Sequence, residues 1–316
     1  MSGRDIWDDM DLVSLRYFVE IIRHRSLSRA AISLGIVQPA LTRRIKLLEE
    51  QLGVELLTRH RRGVEATEAG LLVLERAEVM LRMAQQLETE VRSQRAEPAG
   101  PVGFAFPPSV GILFVGKILS ECATRYPRIK LYLHEDFSPA VRDSLLSGRI
   151  DIGIMTSELG HPDLVSKPLF KEAMWLISRP QDWPFKSRRI KVGNLDDIPL
   201  VLGSFTREML ERLQPRSPFR LRIGAEVDSY TLVIESIRAG AGFAVVPSSA
   251  VDRQLREKEF VGAPIEGFDV TRTLFRHRDR PPTRASLALV DLIDDQVARV
   301  ISAHPDRFRR FVLPKK

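Results

Sequence analysis

Cysteine is almost absent from this chain of 316 residues, and long apolar runs are missing. Cys122 is the only cysteine, so the chain cannot form an internal disulfide or a cysteine-rich zinc site, and it fits a reducing compartment. No uncharged apolar run is long enough to cross a membrane. The acidic N-terminus lacks the apolar segment of a secretory signal. These absences predict a cytoplasmic protein with no membrane partner.

The motifs of common enzyme classes are also missing. The sequence has no nucleophile elbow, phosphate-binding loop or dinucleotide-binding glycine pattern. Gly240 and Gly242 follow a predicted helix rather than opening one, and the six histidines show no metal-ligand spacing. We therefore expect no catalytic residue, no metal site and no cofactor.

Positive charge is unevenly distributed along the chain. The formal net charge is +7, and residues 14–64 alone hold ten Lys and Arg against four Glu, a net of +6. A basic segment of this kind suits a polyanionic partner, although charge alone does not identify one.

Two short helices joined at a glycine are predicted within this basic segment. Ser26 is a suitable N-cap for the first helix, because its side-chain oxygen can accept from an unpaired backbone N–H. Gly35 stands where the joint needs a positive φ, and Pro39 falls in the first turn of the second helix. The pattern predicts a helix-turn-helix over about 27–46.

The second of these helices has two distinct faces. An apolar stripe repeats at helical spacing, at Leu41, Ile45, Leu48 and Leu52. The opposite side is polar or basic, with Gln38 at its tip, and comprises Pro39, Thr42, Arg43, Lys46 and Glu50. Arginine can read guanine and glutamine can read adenine through paired hydrogen bonds in the major groove. The alternative is an ordinary helix hairpin with a solvated basic face.

A β-hairpin follows the second helix. Residues 53–58 predict a short strand, residues 59–63 a turn, and residues 64–66 the returning strand. Arg59, Arg61 and Arg62 on the turn favour contact with phosphate or the minor groove. A solvated basic turn is the alternative.

Residues 15–77 resemble the N-terminal domain of LysR-type transcriptional regulators. The resemblance rests on residues 15–19, 26–31, 38–45, 48–57 and 67–70. It implies a winged helix-turn-helix domain at 10–66, in which Gln38, Pro39, Thr42, Arg43 and Lys46 meet bases or nearby phosphate. Ser28, with Arg59, Arg61 and Arg62, would hold the DNA backbone. Arg44 stands where many members carry Gln, and we expect its charge to strengthen backbone contact.

A long helix is predicted to begin at Thr67. Residues 71–94 contain no proline or glycine, and an apolar repeat runs through Leu74, Ala77, Leu81, Ala84, Leu87 and Val91. This stripe can form a seam against a second copy, or it can be the core face of a single domain. The resemblance implies a linker helix over 67–97 that joins a homodimer or homotetramer.

From Val102 onward, short apolar runs alternate with helical stretches, which predicts a mainly parallel sheet covered by helices. The expected strands are 103–106, 130–134, 150–155, 174–178, 200–202, 222–227, 243–246 and 270–276. Residues 131–135, 146–154 and 237–247 resemble the LysR effector domain. That resemblance implies a two-lobed α/β domain like a periplasmic binding protein over 98–303. Lobe I would be 98–173 and 271–303, and lobe II 174–270. The basic tail 304–316 has no predicted role.

The ends of these strands suggest where a ligand binds. In open α/β sheets, ligands sit beyond the carboxyl ends of strands, near helix N-termini. The family's effector contacts fall on matching loops, so the resemblance implies that the effector is bound by Ser109, Ser138, Thr156, Ser204 and Phe205. Each serine could equally be a helix cap. Glu135 and Asp136 would disfavour an anionic effector unless a cation such as Arg207 offsets them.

Together these features predict a LysR-type regulator that binds double-stranded DNA and is switched by a small-molecule effector between its lobes. Within the LysR family, the chain resembles the branch that includes nitrogen-assimilation regulators slightly more than others, on the basis of residues 37–41 and 133–135. One alternative is a small-molecule-binding protein of the periplasmic-binding type without a DNA role. An enzyme is a second alternative, disfavoured because the sequence has no clustered catalytic residues.

Overall fold

The computed structural model describes residues 11–60, 63–92, 97–196, 198–213, 221–305 and 307–310. The chain forms two compact units, divided between Ala96 and Glu97. Arg61 and Arg62 lie outside the described residues, as do most of the basic tail and the end of the predicted linker helix.

Three helices build the core of the N-terminal unit, namely α1 (Leu12–His24), α2 (Leu27–Leu34) and α3 (Gln38–Leu52). The predicted cap at Ser26 is confirmed, since its side chain accepts from the backbone N–H of Arg29, and Asp11 caps α1 in the same way by accepting from the N–H of Ser14. Gly35 ends α2 with φ of 67°. On α1, Ile21 is fully buried, and Ile22 packs at the edge of the core.

A two-stranded hairpin follows, made of β1 (Leu57–His60) and β2 (Gly63–Ala66). The predicted first strand at 53–58 is wrong in position, because Gly53 ends α3 with φ of 69° and the strand starts only at Leu57. The carboxylate of Glu49 accepts from the backbone N–H groups of Leu56 and Leu57, which fixes where the chain becomes extended.

The long helix α4 (Glu68–Arg92) closes this unit. Thr67 caps it, as predicted, by accepting from the N–H of Gly70. A Cβ on Gly70 would lie 2.1 Å from the Leu56 carbonyl oxygen, so a glycine here lets the helix pack directly against the chain before the hairpin. This contact anchors the beginning of α4 to the N-terminal unit.

The C-terminal unit contains a nine-stranded mixed sheet. Its strands are β3 (Gly100–Phe106), β4 (Ile129–Glu135), β5 (Ile152–Thr156), β6 (Leu164–Ser178), β7 (Leu200–Leu202), β8 (Ile223–Glu226), β9 (Phe243–Pro247), β10 (Val261–His277) and β11 (Phe308–Arg310). Its helices are α5 (Pro108–Val110), α6 (Gly116–Arg125), α7 (Ser138–Ser147), α8 (Ser204–Leu213), α9 (Tyr230–Ala239), α10 (Asp252–Arg256) and α11 (Arg284–Ala303). A π-helical turn, Gly111–Val115, joins α5 to α6.

Two long antiparallel strands divide this sheet into lobes. Strands β6 and β10 pair with each other along their length, with an irregular register between Pro264 and Asp269. On one side, β3 pairs in parallel with β4 and β5, and on the other, β7 pairs in parallel with β8 and β9. We call these the first and second lobes. The prediction of a mainly parallel sheet is therefore wrong, because the segments expected at 174–178 and 270–276 are the ends of two crossover strands.

The C-terminal tail begins as part of this sheet. Strand β11 pairs antiparallel with β6, and Phe308 is buried in the core of the first lobe with its ring edge-on to Phe170. Residues 308–310 therefore belong to the C-terminal unit. None of the described helices is long and apolar enough to cross a membrane.

Candidate DNA-binding surface and effector cleft

The outer face of α3 is the candidate DNA-reading surface. Leu41, Ile45 and Leu48 are buried, which leaves the opposite face of the helix uncovered. Pro39, Arg43 and Lys46 are exposed there, and Thr42 is partly covered on the flank. The structure thus brings together the predicted base-contacting residues on one exposed face.

At the tip of α3, Ser28 and Gln38 form a pair. The Ser28 hydroxyl donates to Oε1 of Gln38 over 2.8 Å, and both residues are exposed. The hydrogen bond orients the Gln38 side chain and keeps its amide NH₂ available as a donor. Ser28, predicted to hold backbone phosphate, therefore also positions a candidate base-reading side chain.

The two central arginines of α3 have different environments. Arg43 is exposed and has no ion pair among the described residues. Arg44, by contrast, donates from Nε to the Ser14 hydroxyl over 2.8 Å and forms an ion pair with Asp11. The expectation that Arg44 strengthens DNA backbone contact is not supported by these contacts, because its charge is already paired at the start of α1.

The pairing with Arg44 also perturbs Asp11. Partial desolvation raises the pKa of this carboxyl, but hydrogen bonds from Ser14 and the charge and hydrogen bond of Arg44 lower it by more. The net pKa lies below its ordinary value, so the carboxylate is the favoured form at neutral pH.

The hairpin places one predicted arginine on a strand rather than a turn. Arg59 is exposed on β1, opposite Val64. Near the turn of the hairpin, the N–H of Val64 donates to the carbonyl of Arg25. A Cβ on Gly63 would lie 2.6 Å from that carbonyl oxygen. The hairpin is thereby fixed to the end of α1, and Arg59 projects from a defined position.

A small cavity of about 40 Å³ lies between the lobes of the C-terminal unit. Its walls come from both lobes and from the crossover strands, and include Ser138, Thr156, Phe205, Asp228, Tyr230 and Arg272. A volume of this size holds only about one to three water molecules. We call this cavity the cleft. An organic effector can enter it only if the lobes part.

The predicted effector residues lie around the cleft, some in its wall and others beside or behind it. Ser138 and Thr156 are buried in its wall, and the Ser138 hydroxyl accepts from the backbone N–H of Thr156 over 3.3 Å. The Thr156 hydroxyl is buried without a hydrogen-bond partner among the described residues. Phe205 lines the cleft, whereas Ser204 lies beside it and donates to Asp228. Ser109 is fully buried and accepts from Arg272.

The helix-cap alternative fails for Ser138. Phe137 is the N-cap residue of α7 and makes no side-chain cap bond, while the Ser138 hydroxyl is used by Thr156. Within the described part of the chain, Ser109 makes no cap bond either, and its helix begins after Pro107. These serines are thus turned towards the crossover and cleft rather than towards their own helices.

A buried ion pair lies at the crossover. Arg272 donates from Nε to Glu172 over 2.7 Å and from a second nitrogen to the Ser109 hydroxyl over 3.0 Å. The side chains are 6% and 0% exposed. The other carboxylate oxygen of Glu172 accepts from the N–H of Ser249 over 3.0 Å. Both charges are therefore compensated where the lobes meet.

The positive charge at the cleft comes from a different arginine than the sequence predicted. The sequence suggested Arg207, but that guanidinium pairs with Glu211 and Glu226 outside the cleft. The hydrogen bonds that Arg207 donates to Glu211 and Glu226 raise its pKa above the ordinary value. The cation that lines the cleft is Arg272.

An aromatic contact joins the two lobes at the cleft. The rings of Phe137, before α7, and Tyr230, at the start of α9, stack 5.9 Å apart. Burial raises the pKa of Tyr230, against the lowering effects of Arg272 and of a hydrogen bond with Ser109. Its phenol therefore stays protonated over the physiological pH range. Separating the lobes would require Phe137 and Tyr230 to part.

Arg272, Glu172 and Tyr230 were missed from sequence. The available signal was a single charge within an otherwise apolar or hydroxyl-bearing strand, as in Val270-Thr271-Arg272-Thr273-Leu274. A charge in such a strand is seldom buried without a partner. The partner itself could not be found, because Glu172 is 100 residues away in sequence.

Comparisons with known proteins agree with this geometry. The family described as "Bacterial regulatory helix-turn-helix protein, lysR family" matches residues 12–71, and "LysR substrate binding domain" matches residues 95–298. A hydrogen peroxide-inducible genes activator of Dickeya chrysanthemi is 32% identical over 256 residues, covering 78% of this chain and 81% of that protein. The nitrogen assimilation regulatory protein nac of Klebsiella aerogenes is 30% identical over 245 residues, covering 76% and 79%.

These two relatives have nearly equal identity, so they do not favour the nitrogen-assimilation branch. Full-length CbnR in complex with its target DNA is similar in structure, with a TM-score of 0.68 at 23% identity over 92% of this chain and all of that one. Such a likeness supports the fold. The two family matches together span most of the sequence, and the chain belongs to the LysR family of DNA-binding transcriptional regulators, with a C-terminal effector-binding domain and no enzymatic role.

Proposed function

We propose that α3 enters the major groove and that Gln38, Pro39, Thr42, Arg43 and Lys46 meet bases or nearby phosphate. Ser28 and Arg59, with Arg61 and Arg62 beyond the described residues, hold the DNA backbone. Residues 10–66 form this DNA-binding domain. The protein acts in the cytoplasm, where its DNA partner is found.

The observation that carries this proposal is that the Arg43 side chain is exposed and has no ion-pair partner among the described residues. Its guanidinium is exposed on the outer face of α3 and unpaired within the described part of the chain, while its neighbour Arg44 is tied to Asp11. A bidentate arginine in the major groove is the commonest specific contact with guanine. Arg43 is thus the residue best placed to read sequence.

The linker helix over 67–97 supplies the homodimer contact. Five of the large apolar side chains of α4 that are exposed in the single chain lie on one face, within about 100° of arc at 100° per residue, and Leu71 lies to one side of it. The five are Leu72, Met80, Met83, Leu87 and Val91. A helix stripe of this kind is stable in water when a second copy covers it.

The cleft between lobe I (98–173 and 271–303) and lobe II (174–270) takes the small-molecule effector. The Thr156 hydroxyl, unpartnered among the described residues, supports this role, because a buried polar group without a partner is costly until a ligand satisfies it. Ser109, Ser138, Ser204 and Phe205 surround the same region. An effector shifts the lobes only through different affinity for their open and closed arrangements.

Selection from a random DNA library tests the DNA-reading surface, because the method requires no chosen operator sequence. Purified protein should enrich one motif with dyad symmetry, because a symmetric dimer presents two copies of α3. The same selection with Arg43→Ala should lose a base preference within each half-site. Absence of any enriched motif with the unaltered protein would contradict the proposal.

A further inference from the structure

A second cavity, of about 600 Å³, lies in the C-terminal unit and shares no lining residue with the cleft. Its walls come from Ile112 to Lys117 in the first lobe, Ser249 to Arg256 after β9, and the end of α11 from Arg299 to His304. We call it the cationic cavity. Small-molecule sites typically occupy roughly 300–1,000 Å³, so the cationic cavity has the size of a ligand site and the cleft does not.

The charged side chains that line this cavity are mostly positive. Four lining side chains are permanent cations, namely Lys117, Arg253, Arg256 and Arg299. Among the described lining residues the one carboxylate is Asp252, which already pairs with Arg256 and Arg307. Arg299 pairs with Glu121 at the edge.

Two of these cations are available to a ligand. Neither Lys117 nor Arg253 has a side-chain hydrogen bond or an ion pair within the residues that the structure covers, and both are exposed. They belong to different walls, one on α6 and the other on α10. A ligand with two negative charges could therefore be held from both sides through charge-assisted hydrogen bonds.

The cavity also offers apolar and hydroxyl contacts. Ile112 is 66% exposed in its lining, next to Val300 and Ala303. The Ser249 hydroxyl is buried in the wall without a hydrogen-bond partner among the described residues. The residue itself is only 2% exposed. Ser249 thus adds a buried, unsatisfied polar group to the wall that also carries Arg253.

We propose that the cationic cavity binds a small organic anion with two negative charges and an apolar part, as in an aryl phosphate monoester. This site is separate from the cleft and adds a second ligand to the one expected between the lobes. Ser249 connects the two regions, because its N–H donates to Glu172, which holds Arg272 in the wall of the cleft.

Isothermal titration of the full-length protein with 1-naphthyl phosphate tests the proposal directly. We expect one molecule bound per chain. The double variant Lys117→Gln with Arg253→Gln should weaken binding by at least about tenfold, because each lost charged contact is worth about that much. The control Lys186→Gln with Arg188→Gln removes two exposed cations of the same unit that do not line the cavity, and it should bind like the unaltered protein.

Three results would overturn this assignment. The first is no binding by the unaltered protein, and the second is equal binding by the double variant whose urea unfolding midpoint is unchanged. The third is equal affinity for uncharged 1-naphthol, which would make the cations irrelevant. If the double variant instead loses DNA affinity while 1-naphthyl phosphate never binds, the two cations contact DNA phosphate and the small-molecule site does not exist.

Discussion

Arg43 and Arg44 are adjacent in sequence but have different roles in the structure. Consecutive residues of a helix point about 100° apart, so one guanidinium faces outward while the other reaches Asp11 and Ser14. A basic residue in a recognition helix is therefore not automatically a DNA contact. Its partners in the free protein decide whether its charge is available.

Replacing Arg43 with alanine should weaken specific DNA binding by roughly 1–3 kcal/mol and affect random DNA little, because a base contact carries sequence information and a phosphate contact does not. Fluorescence anisotropy with both DNAs measures the difference. Arg16→Ala is the matched control, since it removes an exposed cation of α1 outside the candidate surface. An equal loss on both DNAs would make Arg43 a phosphate contact.

Asp11 supplies a pH-dependent contribution to stability. Its folded-state pKa is lowered, so the contribution is present above the unfolded pKa of about 3.9 and disappears as pH falls through the folded value. Asp11→Asn should therefore lower the free energy of unfolding of the N-terminal unit at pH 7, within about 1 kcal/mol for this exposed pair. In urea unfolding the difference should vanish in strong acid. A difference that persists there would point to packing instead.

The Glu172–Arg272 pair is the most buried ion pair among the described residues. Glu172→Leu leaves Arg272 buried without its carboxylate, and such a change typically costs about 3–5 kcal/mol. Urea unfolding of the C-terminal unit measures the loss. Adding Arg272→Met should recover much of it, because no uncompensated charge remains. A double variant no more stable than Glu172→Leu would contradict this explanation.

At the scale of elements, the helix α4 packs against the N-terminal core and also carries an exposed apolar face. The apolar repeat in the sequence did not separate these two roles. Of the stripe predicted as one seam, Ala77 is buried in the N-terminal unit, with Leu74 and Leu81 packed against the same core. Leu87 and Val91 remain exposed, at 63% and 67%. One side of the helix thus belongs to the N-terminal core, and the side that carries Leu87 and Val91 is left uncovered.

Changing Leu87 and Val91 to glutamate should dissociate the homodimer. Two large apolar side chains per copy would leave the interface, and we expect the dissociation constant to rise by at least about 100-fold. Sedimentation velocity measures the change. Gln85→Glu with Thr89→Glu adds the same charge on the opposite side of α4 and should leave the dimer intact. Dissociation by both variants would mean that charge, rather than this face, controls assembly.

Local signals predicted the helices better than the strands. The caps at Ser26 and Thr67 act within three residues, so the sequence reveals them directly. The long strands β6 and β10 were found only in part, because their crossover segments alternate buried and exposed residues irregularly. Their pairing joins residues about a hundred positions apart, which periodicity cannot reveal.

At the scale of the molecule, the family fold and the two-lobed plan were predictable from sequence, and the character of the cleft was not. Of the residues that the loops at the strand ends suggested as effector contacts, Ser138, Thr156 and Phe205 line the cleft. The sequence could not indicate that the cleft holds only about 40 Å³ or that Arg272 supplies its charge. Both depend on how two lobes, built from distant segments, close on each other.

The most direct test is fluorescence anisotropy of the purified protein on DNA fragments that tile the region upstream of its own gene, with a shuffled fragment as control, over a salt series. We predict that one tile binds at least about 1,000-fold more tightly than shuffled DNA and that its affinity falls steeply with salt, because bases and several phosphates are contacted together. Equal, weak binding to every tile and to shuffled DNA would contradict the proposed reading surface on α3.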